Sequence, residues 1–78
     1  MRYYFHLHND LDVPDREGQE LPDLEAAREW ATCQARALFA HLAKEHGRVA
    51  LNHRIDIEDK DGNVLGTVRF GDAVKVES

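Results

Sequence analysis

Alternation opens the chain. From Arg2 to Asn9 large apolar side chains recur at every second position, so Tyr3, Phe5 and Leu7 share the prospective core face of a strand, and Tyr4, His6 and His8 share the other. Residues 9–18 interrupt this with Asp, Pro and Gly and read as a loop. Gln19, Glu20 and Leu21 then form a short second strand returning beside the first.

The period changes at Asp23, which stands as an N-cap with acidic Glu25 in the first turn. The helical pattern runs to Lys44, Glu45 and His46 before Gly47 stops it, a helix of about 22 residues. At about 100° per residue, Leu24, Ala27, Ala31, Ala35, Leu38 and Leu42 form one stripe, with Phe39 at its margin; this stripe is predicted to lie on the sheet. Ala26, Trp30, Cys33, Ala37 and Ala40 gather on a second face, nearly opposite, while Glu25, Glu29, Thr32 and Arg36 form a polar strip. Small residues permit close helix approach and Trp is a frequent interface anchor, so the second face is a candidate contact with another subunit. Its plainer reading is that Ala is the best helix former and that Trp30 covers a sheet edge.

After a connection over residues 48–53, Arg54–Glu58 alternates again with Ile55 and Ile57 inward. Asp59–Asn63 supplies a turn, and Val64–Phe70 returns as a strand with Val68 and Phe70 inward. Gly71 and Asp72 break that pattern, leaving Ala73–Ser78 as a short extra element or a frayed end. The pattern as a whole predicts a single α+β domain over residues 1–78. Its architecture is an antiparallel sheet of three to four strands packed against one long helix, in the order β(β)αββ.

Size sharpens the question of partners. A chain of 78 residues buries only about 60% of the surface its unfolded form exposes, so a homo-oligomer, most simply a dimer, or a protein partner is expected. The apolar runs fall far short of the roughly 20 residues that cross a bilayer, and Met1 leads straight into strand sequence, so neither a membrane span nor a signal peptide is expected. The single cysteine, Cys33, cannot form an internal disulfide, which points to a cytoplasmic setting; among helix alanines it is expected as a small buried side chain.

Charge is unevenly placed. The net value is −5, yet residues 10–25 hold Asp10, Asp12, Asp15, Glu17, Glu20, Asp23 and Glu25 against Arg16 alone, while residues 26–54 are net basic. The sequence offers no concentrated basic surface, so nucleic-acid binding is not expected, and the aromatic strand adjoins the most acidic part of the chain. Asp10, Asp12, Asp15 and Glu17 instead form a candidate docking loop for a basic partner.

Several residues together carry a family resemblance. Arg2-Tyr3-Tyr4-Phe5-His6-Leu7, Glu17-Gly18, Glu20-Leu21-Pro22-Asp23-Leu24-Glu25-Ala26-Ala27, Asp59-Lys60-Asp61-Gly62, Val64-Leu65 and Val68-Arg69-Phe70-Gly71-Asp72-Ala73 resemble, in order and spacing, the small bacterial proteins grouped as domain of unknown function 6894 (DUF6894). The resemblance implies the strand, helix and hairpin arrangement and a bacterial cytoplasmic setting. Leu21-Pro22-Asp23-Leu24-Glu25-Ala26-Ala27 is also similar to the strand-to-helix segment of HicAB-type antitoxins, although no appended DNA-binding segment is read here.

Candidate chemistry is sparse. His6 and His8 project from one strand face and, with a third ligand such as His53 or a loop carboxylate, would suit a divalent metal or small ligand. The plainer reading makes them half-exposed strand residues, with His6 bonded to the acidic loop. His41 and His46 suit the helix C-terminus. An EF-hand frame fails from Asp10, where Asp15 takes the glycine position, and from Asp59, where Val64 does. The sole serine is Ser78, and the glycines form neither a P-loop nor a dinucleotide fingerprint, so no catalytic site and no cofactor are expected. The expected role is non-catalytic: a small interaction module that self-associates or binds a protein, with a His6/His8 ligand site or an antitoxin-like regulator as alternatives.

Overall fold

The computed structural model describes residues 1–8, 12–47 and 51–74. Along the chain run β1 (Arg2–His8), β2 (Asp12–Val13), β3 (Gln19–Glu20), α1 (Leu24–His46), β4 (Arg54–Glu58), β5 (Val64–Arg69) and α2 (Phe70–Ala73). The sheet is antiparallel throughout, in the order β2-β1-β4-β5, with β3 also pairing to β1. The expected α+β architecture is therefore present. β2 is an element the loop-like composition of residues 9–18 did not predict.

The limits of α1 follow from its caps. Asp23 accepts a hydrogen bond from the Ala26 N–H at 2.8 Å, and the Gly47 N–H closes the last turn on the Ala43 carbonyl at 2.9 Å, with Gly47 in the left-handed region. The helix lies on the sheet through Ala27, Ala31 and Ala35, all fully buried. Leu24, Leu38, Phe39 and Leu42 pack around this strip, against a core of Tyr3, Ile55, Ile57, Val68, Phe70 and Ala73. Every member of the predicted stripe thus faces the sheet.

Two expectations change here. Phe70 is inward and fully buried, as the alternation required, but β5 ends at Arg69 and Phe70 opens α2. The turn lets its ring meet His53 edge-on, at 5.6 Å between centroids, while Arg36 Nε donates to the Ala73 carbonyl at 2.6 Å and ties α2 to α1. Cys33 is exposed, not buried: the sheet lies on the Ala31 side of the helix, and the cysteine stands on the other. The molecule measures 38 × 24 × 16 Å, thin enough for two layers only, so the sheet face away from α1 has no covering layer among the described residues.

Because the alanine strip sets the distance between the layers, enlarging it should strain both. Ala31→Leu is expected to lower the unfolding free energy by about 1–3 kcal/mol, read as a reduced urea midpoint at unchanged slope.

Candidate functional site

Two surfaces that were separate in sequence meet along the edge of β1. On the helix side, Trp30, Ala37, Leu38 and His41 face Phe5 and Leu7 across a groove of about 570 Å³. Ile55 contributes to its floor, and Asp15 and Glu17 stand at its other wall. The Trp30 and Phe5 rings lie 6.4 Å apart, tilted by 51°, so Trp30 leans toward the sheet edge while remaining 37% exposed. Of the second helix face, Trp30 and Ala37 line the groove; Ala26 is half-buried, and Cys33 and Ala40 are exposed outside it.

The acidic wall is built on β1. β2 pairs with one end of that strand (Leu7 to Val13) and β3 with the other (Tyr3 to Gln19), leaving the middle without a strand neighbour on this side. Asp15 fills the gap. Its carboxylate accepts from the Phe5 N–H at 3.2 Å and from the Glu17 and Gly18 N–H groups at 3.1 Å each, while its own N–H donates to His6 Nδ1 at 3.1 Å. Gly18 lets the chain close this loop: its φ is +72°, and a Cβ there would come within 2.9 Å of Arg2, Tyr3 and Tyr4. Burial opposes ionisation of Asp15, but donation from Gly18, Phe5 and Glu17, aided by the charge of His6, outweighs it and holds the carboxyl below the usual aspartate value. Of the proposed docking carboxylates, Asp15 is thus turned onto β1, Asp12 is bonded to His8, Glu17 is exposed on the groove wall, and Asp10 lies outside the described residues.

On the opposite face of the sheet His6 and His8 project together, as their spacing required. Each is engaged by the protein: His8 Nδ1 is 2.9 Å from Asp12 and its Nε2 3.1 Å from Asp56, and His6 Nε2 is 3.7 Å from Glu58. A ring with a proton on each nitrogen satisfies both neighbours of His8 at once; the neutral ring satisfies one. His53 does not join them, since it packs on Phe70, and among the described residues no three His, Cys, Asp or Glu side chains converge as a metal site would require.

Sequence reasoning missed Asp56, which is 8% exposed and accepts from the Thr67 hydroxyl at 2.8 Å. The alternation Arg54-Ile55-Asp56-Ile57-Glu58 put it on the polar face, but its enclosure depends on His8 and Thr67, which only strand register brings alongside.

Comparison with known proteins adds one match. A family model described as a domain of unknown function (DUF6894) matches residues 2–71. No curated protein and no solved structure matches the chain. Among the described residues, no helix is long and apolar enough to cross a membrane.

The Asp15 geometry has a pH signature. Its folded-state pKa is depressed, so the folded chain holds fewer protons than the unfolded one in the window just below the usual aspartate value. The stabilisation is present above about pH 4 and is lost as pH falls through the folded-state value. Unfolding free energy measured by urea titration should therefore drop more steeply below about pH 4 in the native chain than in Asp15→Asn. Asp15→Ala, which also removes the acceptor for three backbone donors, should cost about 1–2 kcal/mol at neutral pH.

Proposed function

The chain belongs to the DUF6894 family, and we propose that it serves as a non-catalytic interaction module whose groove beside Trp30 holds an extended or helical segment of a protein partner. The observation that carries this reading is the convergence in one groove of an aromatic and aliphatic floor with an acidic wall. Such a surface suits a segment combining apolar side chains with Lys or Arg: the apolar groups displace water from Phe5, Leu7 and Trp30, and the cations approach Glu17. A second copy fits less well, because a two-fold contact centred on the groove brings two acidic walls together in a molecule of net charge −5.

A self-associating reading has a different observation in its favour. Among the described residues, β5 has a neighbour on one side only, β4, and its other edge could add a strand from a second copy. The antitoxin-like alternative is a special case of the groove reading, with a small basic toxin as the partner, and is supported by the resemblance of residues 21–27. A bacterial cytoplasmic setting accompanies each reading, supported by the family resemblance and by the presence of one cysteine.

A photo-crosslinker placed at Gln34, which lines the groove, tests the proposal in the native host. The expected product joins Gln34 to a Lys- or Arg-rich segment of another protein, and its yield falls about tenfold in Trp30→Ala and in Glu17→Lys. A crosslink to a second copy, matched by a dimer in native mass spectrometry that Ala37→Glu dissociates, would replace the partner with self-association. Yields indifferent to all three substitutions would remove the groove from consideration.

A further inference from the structure

The uncovered face of the sheet holds a second surface, built around two arginines. Strand register sets His8 beside Arg54 and Arg54 directly opposite Arg69, a row across β1, β4 and β5. Two like charges facing each other across a strand pair cost free energy unless a counter-charge lies near them. Asp56 supplies part of it. Its Oδ1 lies 3.4 Å from Arg54 Nε, and its other oxygen is already occupied by His8. Arg54 is therefore anchored through Nε, leaving its two terminal nitrogens without a protein partner among the described residues, and Arg69 makes no ion pair or side-chain hydrogen bond among them.

A shallow recess of about 940 Å³ opens over this pair, lined by both arginines with Asn52, Thr67 and Asp72. Two carboxylates, Asp56 and Asp72, stand beside the two guanidiniums, so the recess is locally balanced in charge on a chain that is acidic overall. We propose that it binds a phosphate-bearing small molecule. Among the described residues the two planar forks are engaged only at Arg54 Nε, which leaves their other N–H groups as donors; a tetrahedral phosphate presents oxygens to both forks at once, with the Asn52 amide as a further donor. The ligand is small because its surroundings are not basic. A long polyanion would need a continued cationic track, and on this chain it would meet the carboxylates Asp12, Glu58 and Asp72 instead.

Amide chemical shifts of the full chain, followed by NMR during titration with inorganic phosphate and with pyrophosphate, test this directly, with sodium acetate at matched ionic strength as the reference. The expected result is a saturable response confined to residues 51–54 and 67–72, stronger for pyrophosphate, and weakened at least about tenfold by Arg69→Gln or Arg54→Gln. Asp72→Asn should strengthen it, and Arg16→Gln should leave it unchanged. Arg69 makes no ion pair or side-chain hydrogen bond among the described residues, so Arg69→Gln keeps the fold and isolates the charge. A response equal for acetate, one that survives Arg69→Gln, or binding of an oligonucleotide without binding of pyrophosphate would overturn the proposal.

Discussion

The close approach of one long helix to a small sheet governs the rest of the molecule. Ala27, Ala31 and Ala35 bring the α1 backbone down onto the strands, and no larger side chain holds the layers apart along that line. The bulk required to fill a core is displaced to the flanks, where Leu24, Leu38, Phe39 and Leu42 pack, and to the far end, where Phe70 is fully enclosed. That arrangement is economical for a short chain, since Ala loses no side-chain entropy on burial. It also seats the helix chiefly over β4 and β5, and the groove beside Trp30 lies between the helix and Phe5 and Leu7 of β1.

The edge itself is held by polar chemistry. β1 would present unpaired backbone donors between the two short strands that reach it, and an open edge of this kind invites pairing with another chain. Asp15 closes it with a side chain instead of a strand, and Gly18 admits the turn that brings Asp15 there. An aspartate that looks in sequence like one more solvated carboxylate is consequently part of the fold, and Glu17, two residues on, is the exposed charge.

Legibility in the sequence follows the range of the interactions involved. The helix was readable from end to end because its signals are local: Asp23 and Gly47 mark its limits, and the spacing of Ala27, Ala31 and Ala35 marks its buried face. The β4–β5 hairpin was readable for the same reason, from alternation and from Asp59-Lys60-Asp61-Gly62-Asn63, where Asp59 takes the N–H groups of Asp61 and Asn63. β2 was not, since two residues become a strand there only through pairing with β1. Alternation places Phe70 inward correctly but in the strand, because period two and the first turn of a helix bury the same residue at that point. Cys33 is exposed against expectation because helix periodicity identifies two apolar faces here without saying that only one of them is covered. The groove joins residues 5, 17 and 30 and Asp56 joins residues 8, 54 and 67, combinations that register and packing create and that no spacing along the chain announces.

The two surfaces are separated by the pleat of a single strand. Ile55 contributes to the groove, and its neighbour Arg54 to the recess on the other side. An occupant of either site therefore leaves the other open, while a shift of β4 along its length would alter both. β1 is tied into the same unit: Phe5 and Leu7 face the groove while His6 and His8 face Glu58 and Asp56. A domain too small for two cores can still carry two independent surfaces, because a sheet covered on one side places every second residue at a different boundary. In this chain those boundaries differ in chemistry as well: apolar with an acidic wall beneath the helix, and mixed arginine, histidine and carboxylate on the bare face.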